Sequence, residues 1–284
     1  MKIVIGVDWS DESIATVHQV LQLYRPLEIT LVHGIDLGIF KYPALVQIAN
    51  LQGYDDYRAA VTTAGQEILE STANAIRLES CSVKKINEIG NAADLIIRTA
   101  RTVNADLIAV GSRNRNRATE AILGSVSHRV LLQADRPTLV VKGDSRPIHE
   151  VLVAVEGQED ADYLRDWLLK YPFLNSVRVR IVNVVVPLKP LNPYPIPEYG
   201  VSNTAMTDAE DLVRRMAAAL QSPQYNGTTR VLVGGVVETV AAQSREADLV
   251  VVASHGRRGL ERFLLGSASH AIAHRVRCPI LVVR

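Results

Sequence analysis

The sequence predicts an α/β protein of two tandem doubly wound domains, each a five-stranded, mainly parallel sheet in the order 3-2-1-4-5 with helices on both faces. Three observations carry this. The block 105–141, ADLIAVGSRNRNRATEAILGSVSHRVLLQADRPTLVV, returns at 247–283 as ADLVVVASHGRRGLERFLLGSASHAIAHRVRCPILVV, without a gap and at an offset of 142. About 15 of 37 positions are identical, more than two unrelated strand–helix–strand pieces would share through hydrophobic patterning. Short β-branched runs alternate with helical patterns of roughly ten or more residues, as in parallel strands joined by crossover helices. Finally, 284 residues with 48% hydrophobic content suffice for two cores.

In the first half, residues 2–7 are a β-branched run bounded by Asp8 and Ser10, and read as a buried strand. Ser10 or Asp11 can cap the next helix, whose apolar face carries Ile14, Val17, Val20, Leu21 and Tyr24 and which Pro26 ends. EITLVHGI, 28–35, is the second strand. After a looser stretch to Gly53, a long helix runs through Tyr57, Val61, Ile68 and Leu69 to about Leu78. VKKINEI, 83–89, alternates apolar and polar residues and reads as an edge strand with one wet face. A helix at 92–103, a strand at 106–111, a loop at 112–123, a helix from Ser125 to about Ala134 and a strand at 138–142 complete the half.

The segment KGDSRP supplies a short polar linker, giving domains at 1–142 and 148–284 with 143–147 between them. The second half repeats the order: strand 151–155, helix 160–171, strand 177–186, helix 204–221, strand 228–233, helix 236–246, strand 248–253, helix 267–276 and strand 280–284. PLKPLNPYPIPEYG, after its second strand, holds five prolines and reads as a stiff surface segment, with Tyr194 and Tyr199 as surface decoration.

A formal net charge of +1 gives no global field for nucleic acid or an acidic membrane surface. Cys81 and Cys278 fall in different halves and form no metal or CxxC pattern, which points to a reduced, cytoplasmic protein. The apolar run of MKIVIGVDWS is short and ends in Asp8, unlike a signal peptide. No run of about 18 apolar residues is present to span a membrane.

In a doubly wound sheet, ligands sit at the carboxyl ends of the strands where the order reverses. The first strand ends in Val7-Asp8 and the fourth in Gly111-Ser112, so as neighbours their tips line one crevice. Gly124-Ser125 opens a helix behind an Arg-rich loop. Free backbone N–H groups and the helix dipole make such a start receptive to phosphate, with Ser125 and Ser127 adding hydroxyls and Arg113, Arg115 and Arg117 positive charge. The second half repeats this with Gly266-Ser267, Ser269, Arg257 and Arg258. A helix-capping role for Ser125 and a solvated surface for the arginines are the plainer readings.

Each half resembles a universal stress protein domain, and the whole resembles that family's tandem form. The residues that carry the likeness are VDWS at 7–10, ADLIAVGS at 105–112, ILGSVSHRV at 122–130 and RPTLVV at 136–141. In the second half they are ADLVVVASHGRRGLERFLLGSAS at 247–269 and CPILVV at 278–283. The most specific part is the loop pattern Gly-x2-Gly-x9-Gly-Ser/Thr, which in nucleotide-binding members wraps ribose and phosphates, while the strand-one Asp contacts the adenine end. The resemblance thus implies ATP or a related adenine nucleotide as ligand, with Mg accompanying it. It implies a stress-response regulator and no defined catalytic reaction; with no P-loop Lys and no clear water-activating residue in the sequence, at most slow hydrolysis is expected, and no catalytic residue is assigned. The implied first-half site is Val7, Asp8, Gly34, Val110, Gly111, Arg113, Asn114, Gly124, Ser125, Val126 and Ser127. The second-half counterpart is Val155, Glu156, Ala253, His255, Gly256, Gly266, Ser267, Ala268 and Ser269.

Neither half matches the pattern fully. Asn114 stands where the first half should have its second Gly, and Ala253 where the second half should have its first. Asn tolerates a left-handed backbone best among non-Gly residues, whereas Ala253 puts a methyl where the chain approaches ligand. Glu156 is one methylene longer than Asp8. These differences favour the first half, although the second half's loop is closer to the family's usual wording. A member that has lost nucleotide binding and works as an interaction module is the alternative, and an adenylating enzyme of a related fold is the third reading.

Asp8 reads as a recognition carboxylate rather than a general base, and His33 as a hydrogen-bonded structural histidine. His270 and His274, four apart on a helix, have metal-ligand spacing but no evident third ligand, so no metal is expected. His128 and His270 occupy equivalent positions and suit packing or helix polarity. The final strands TLVVK and ILVVR are expected at sheet edges, where the resemblance implies that the two halves pair as an intramolecular pseudo-dimer; association of two chains into a homodimer is a further expectation.

Overall fold

The structure, a computed structural model, describes residues 1–37, 54–76, 80–112, 123–187, 202–254 and 265–284. They form two compact units whose main division falls between Ser145 and Arg146.

The first unit runs β1 (Lys2–Gly6), α1 (Asp11–Leu23), β2 (Glu28–Ile35), α2 (Tyr54–Asn74), β3 (Ser82–Ile89), α3 (Ala92–Thr102), β4 (Leu107–Gly111), α4 (Ser125–Gln133) and β5 (Thr138–Val141). Its strands pair in parallel in the order β3-β2-β1-β4-β5. The central strands bury Ile3, Val4 and Ile5 of β1, Leu31 of β2 and Leu107, Ile108 and Ala109 of β4, on both faces of the sheet. That two-sided burial explains why these strands read as continuous apolar runs rather than alternating ones. β3 is the edge and keeps a polar face, with Lys84 paired to Glu28 at 2.8 Å and Lys85 to Glu70 at 2.5 Å. α3 buries Leu95, Ile96 and Ile97, and its N-cap Asn91 accepts from Ala93 N at 3.1 Å and Asp94 N at 3.3 Å.

The second unit repeats the plan: β6 (Glu150–Ala154), α5 (Gln158–Lys170), β7 (Val177–Val185), α6 (Asn203–Leu220), β8 (Tyr225–Val233), α7 (Val236–Gln243), β9 (Leu249–Ala253), α8 (Ser267–Arg275) and β10 (Ile280–Val283). The parallel order is β8-β7-β6-β9-β10. β8 starts at Tyr225, three residues before the expected strand. Tyr225 is a core side chain there, its hydroxyl donating to Leu168 O at 3.0 Å and accepting from Phe173 N at 3.1 Å. The helix expected over 236–246 ends at Gln243 and finishes in a 3-10 turn, Ser244–Glu246. The helix expected to reach about Leu78 ends at Asn74.

In each unit the chain leaves the first strand to one side and returns on the other, so the order reverses between β1 and β4 and between β6 and β9. The crevice beyond those strand ends is where such a sheet offers a site. Among the described residues, no helix is long and apolar enough to cross a membrane.

Candidate functional site

A cleft of about 420 Å³ opens beyond the carboxyl ends of β1, β2 and β4, within the range of small-molecule sites. Its lining brings together Val7, Asp8, Gly34, Val110, Gly111, Gly124, Ser125, Val126 and Ser127 from the expected set. Trp9, Ser10, Ser13, Asn91, Ala92 and Tyr57 join them without having been singled out as ligand contacts.

The turn from β1 into α1 is tied by its own side chains. Asp8 Oδ1 accepts from Ser10 N at 2.9 Å, from the Ser10 hydroxyl, and from Ser13 Oγ at 3.1 Å. Asp8 N donates to Ser13 Oγ at 2.8 Å. A carboxylate oxygen bound this way braces the loop whatever else the side chain meets. The hydroxyls two and five residues after Asp8 were the available sequence signal. His33 is buried, with Nδ1 2.9 Å from Val7 O, so it ties β2 to the end of β1 from inside the sheet.

Two glycines at the site serve the packing of helices. A Cβ on Gly34 would lie 2.6 Å from Ala92 Cα, and one on Gly111 would lie 3.1 Å from both Glu12 Cβ and Thr16 Oγ1. Gly34 therefore lets the start of α3 close on β2, and Gly111 lets α1 close on β4. Gly124 is the N-cap of α4, with φ −64° and ψ 159°, and no side chain caps that helix. The start of this helix, with exposed Ser125, lines the cleft, so its free first-turn N–H groups and the positive end of its dipole border that space. Ser127 differs from expectation. It is buried, and its hydroxyl turns back to donate to Gly124 O at 3.0 Å, because position three of the helix points under the first turn.

The second unit has the same scaffold around much less space. The cavity beyond β6, β7 and β9 is about 50 Å³. Matching hydrogen bonds fix the equivalences: Val7 N→Val32 O answers Val155 N→Val182 O, Gly90 N→Ile35 O answers Gly234 N→Val185 O, and Ser112 N→Val141 O answers Ser254 N→Val283 O. By this register Gly6 becomes Ala154, Gly34 becomes Val184, Ala92 becomes Val236 and Gly111 becomes Ala253. All four larger side chains line the small cavity. Asp8, Ser10 and Ser13 become Glu156, Gln158 and Ala161, so the hydroxyl brace is gone. Glu156 is exposed, while Asp160, one turn into α5, is buried beside it. Burial first, and the Glu156 charge second, push the Asp160 carboxyl up to about 6. Val155, Ala268 and Ser269 also line the cavity; Ser269 Oγ donates to Ala253 O at 2.6 Å, clamping α8 to the strand tip. Gly266 and exposed Ser267 again open a helix that no side chain caps, and Gly266 N donates to Ser254 O at 2.7 Å.

His270 and His274 meet through their Nε2 atoms at 3.2 Å. Arg113, Asn114, Arg115, Arg117, Tyr194, Tyr199, His255, Gly256, Arg257 and Arg258 lie outside the described residues.

Compared with protein families, the chain matches the Universal stress protein family twice, over residues 1–142 and 147–284. A universal stress protein of Mycobacterium tuberculosis strain H37Rv is 25% identical over 296 residues, covering 99% of this chain and 96% of that one. One from Mycolicibacterium smegmatis is 26% identical over 303 residues with the same coverage. Among solved structures, a universal stress protein from Archaeoglobus fulgidus shares the fold over 100% of this chain and 96% of its own, with a TM-score of 0.68 at 20% identity.

Proposed function

The chain belongs to the universal stress protein family, as a tandem of two such domains, and from that premise we propose that its first domain binds ATP or a related adenine nucleotide in a regulatory role. The observation that carries this reading is the contrast between the two clefts. Small residues at Gly6, Gly34, Ala92 and Gly111 accompany about 420 Å³ in the first domain, whereas Ala154, Val184, Val236 and Ala253 accompany about 50 Å³ in the second. The first volume suits a nucleotide-sized ligand, and the second is of the size of a water or two.

Three features of the first domain support the assignment of parts. The uncapped first turn of α4, with Ser125 exposed, offers N–H donors and a positive dipole end to phosphate. The apolar floor of Val7, Ile35, Ile96 and Val110 suits a flat base. The Asp8–Ser10–Ser13 brace holds the β1–α1 turn in shape before any ligand arrives, so little ordering entropy is spent on binding. Mg arriving with the nucleotide would neutralise phosphate charge. Asp8 acts as a positioning residue in this scheme, and no turnover step is assigned to it.

The closed second cleft favours a division of labour in which the second domain serves as scaffold or interaction surface. Titration of ATP into the purified full chain, followed calorimetrically, tests the proposal. Saturable binding of one nucleotide per chain is expected, and no heat of binding at millimolar ATP would overturn it.

A further inference from the structure

Trp9 is an unusual side chain for its place. It stands on the β1–α1 turn at the cleft, with 62% of its surface exposed, the largest side chain type in a position where burial would be favourable. It is not loose there. Its neighbours Asp8 and Ser10 are joined by the Ser10 N→Asp8 Oδ1 bond at 2.9 Å, and its ring meets His33 at right angles with centroids 6.1 Å apart. His33 is in turn fixed by its bond to Val7 O. A perpendicular contact engages at most one face of the indole and leaves the other for a flat partner. The polar start of α4, beside β4, and an apolar group made of Ile35 and Leu37 at the end of β2 with Tyr57 of α2 both belong to the same cleft lining, with β1 and Trp9 between β2 and β4 in sheet order.

We infer that Trp9 is the stacking platform for the base of the bound ligand, so that the first domain selects compounds joining a planar aromatic base to a phosphate over phosphates alone. This rests on the nucleotide reading above. Base–aromatic stacking tolerates any flat ring, so Trp9 supplies affinity for the base class, and discrimination among bases falls to hydrogen-bonding groups elsewhere in the cleft.

The chain has two tryptophans, and the other, Trp167, is only 8% exposed in the second unit, so a ligand-induced change in emission reports Trp9. Titration of the full chain with ATP is expected to quench that emission with the same Kd that calorimetry gives. Trp9→Phe, which keeps a flat face, should hold Kd within about threefold while abolishing the quench; Trp9→Ala should weaken ATP by about tenfold or more. Inorganic triphosphate, which has no base, should bind both variants as it binds the parent protein. Unchanged ATP affinity in Trp9→Ala would overturn the inference while the nucleotide reading stands. Equal weakening of ATP and triphosphate would also overturn it, since Trp9 would then merely shape the turn. If the parent protein binds no ATP, the nucleotide reading falls and the inference falls with it.

Discussion

Asp8 and Ser13 hold each other from both ends: the Asp8 N–H donates to Ser13 Oγ at 2.8 Å, and the Ser13 hydroxyl lies 3.1 Å from Asp8 Oδ1. Ser13 is only 5% exposed, so water cannot readily replace it. Ser13→Ala removes these contacts, together with the one its hydroxyl makes to Asp8 O at 3.1 Å. Denaturant unfolding should show a loss of about 1–2 kcal/mol in the first domain. ATP binding should weaken alongside, because the turn that shapes the cleft is loosened. A variant as stable as the parent would show that the brace is dispensable.

The cleft contrast can be transplanted. Ala92 lines the first cleft where Val236 lines the second, and its Cβ lies 2.8 Å from where a Cβ on Gly34 would be. Ala92→Val, at the first position of α3, adds bulk to the wall of the open site. ATP affinity should fall at least about tenfold, with circular dichroism and the unfolding midpoint little changed, since overpacking at a cleft wall is relieved into open space. Full affinity in this variant would remove the steric basis for preferring the first domain.

The second domain carries a pH dependence of its own. Asp160 is raised to about 6 from an ordinary 3.8, by burial first and the Glu156 charge next. A carboxyl raised on folding binds its proton more tightly in the native state. Its stabilising contribution is therefore complete below the unfolded value and is lost as pH rises through about 6. Asp160→Asn, which can still accept the backbone bond from Glu156, should stabilise the second domain by about 1–2 kcal/mol at pH 7 and progressively less as the pH falls to 5. An equal gain at both pH values would contradict this. Glu156→Gln should lower the Asp160 value, as read by NMR titration.

Much of this architecture was legible in the sequence because burial writes itself into composition. Strands covered on both faces gave unbroken apolar runs at Ile3–Ile5 and Leu107–Ala109, and the half-wet β3 gave the alternation of SVKKINEI. Asp8 stands at the end of such a run, and Gly124 stands out because the Gly-Ser at a helix start recurs as Gly266-Ser267. What closes the second cleft was not legible. The repeated block reveals Ala253, a single methyl, and the strand-one tip reveals Glu156 against Asp8. The bulkier additions are Val184 on β7 and Val236 on α7, both outside that block, and each looks ordinary for its element. Their meaning appears only when three elements converge on one space. The hydroxyl of Ser127 is a related case: sequence position does not show that the helix turns it inward to Gly124 O. Trp9 has no such signal, since exposure at a cleft is something no spacing encodes.

The central claim is that the first domain holds the nucleotide and the second does not. It is tested most directly by calorimetric titration of ATP into three full-length proteins: the parent, Asp8→Ala and Glu156→Ala. The account predicts one site per chain in the parent, the same site at the same affinity in Glu156→Ala, and binding weakened about tenfold or more in Asp8→Ala, whose turn has lost its brace. Binding that survives Asp8→Ala intact and is lost in Glu156→Ala would contradict it.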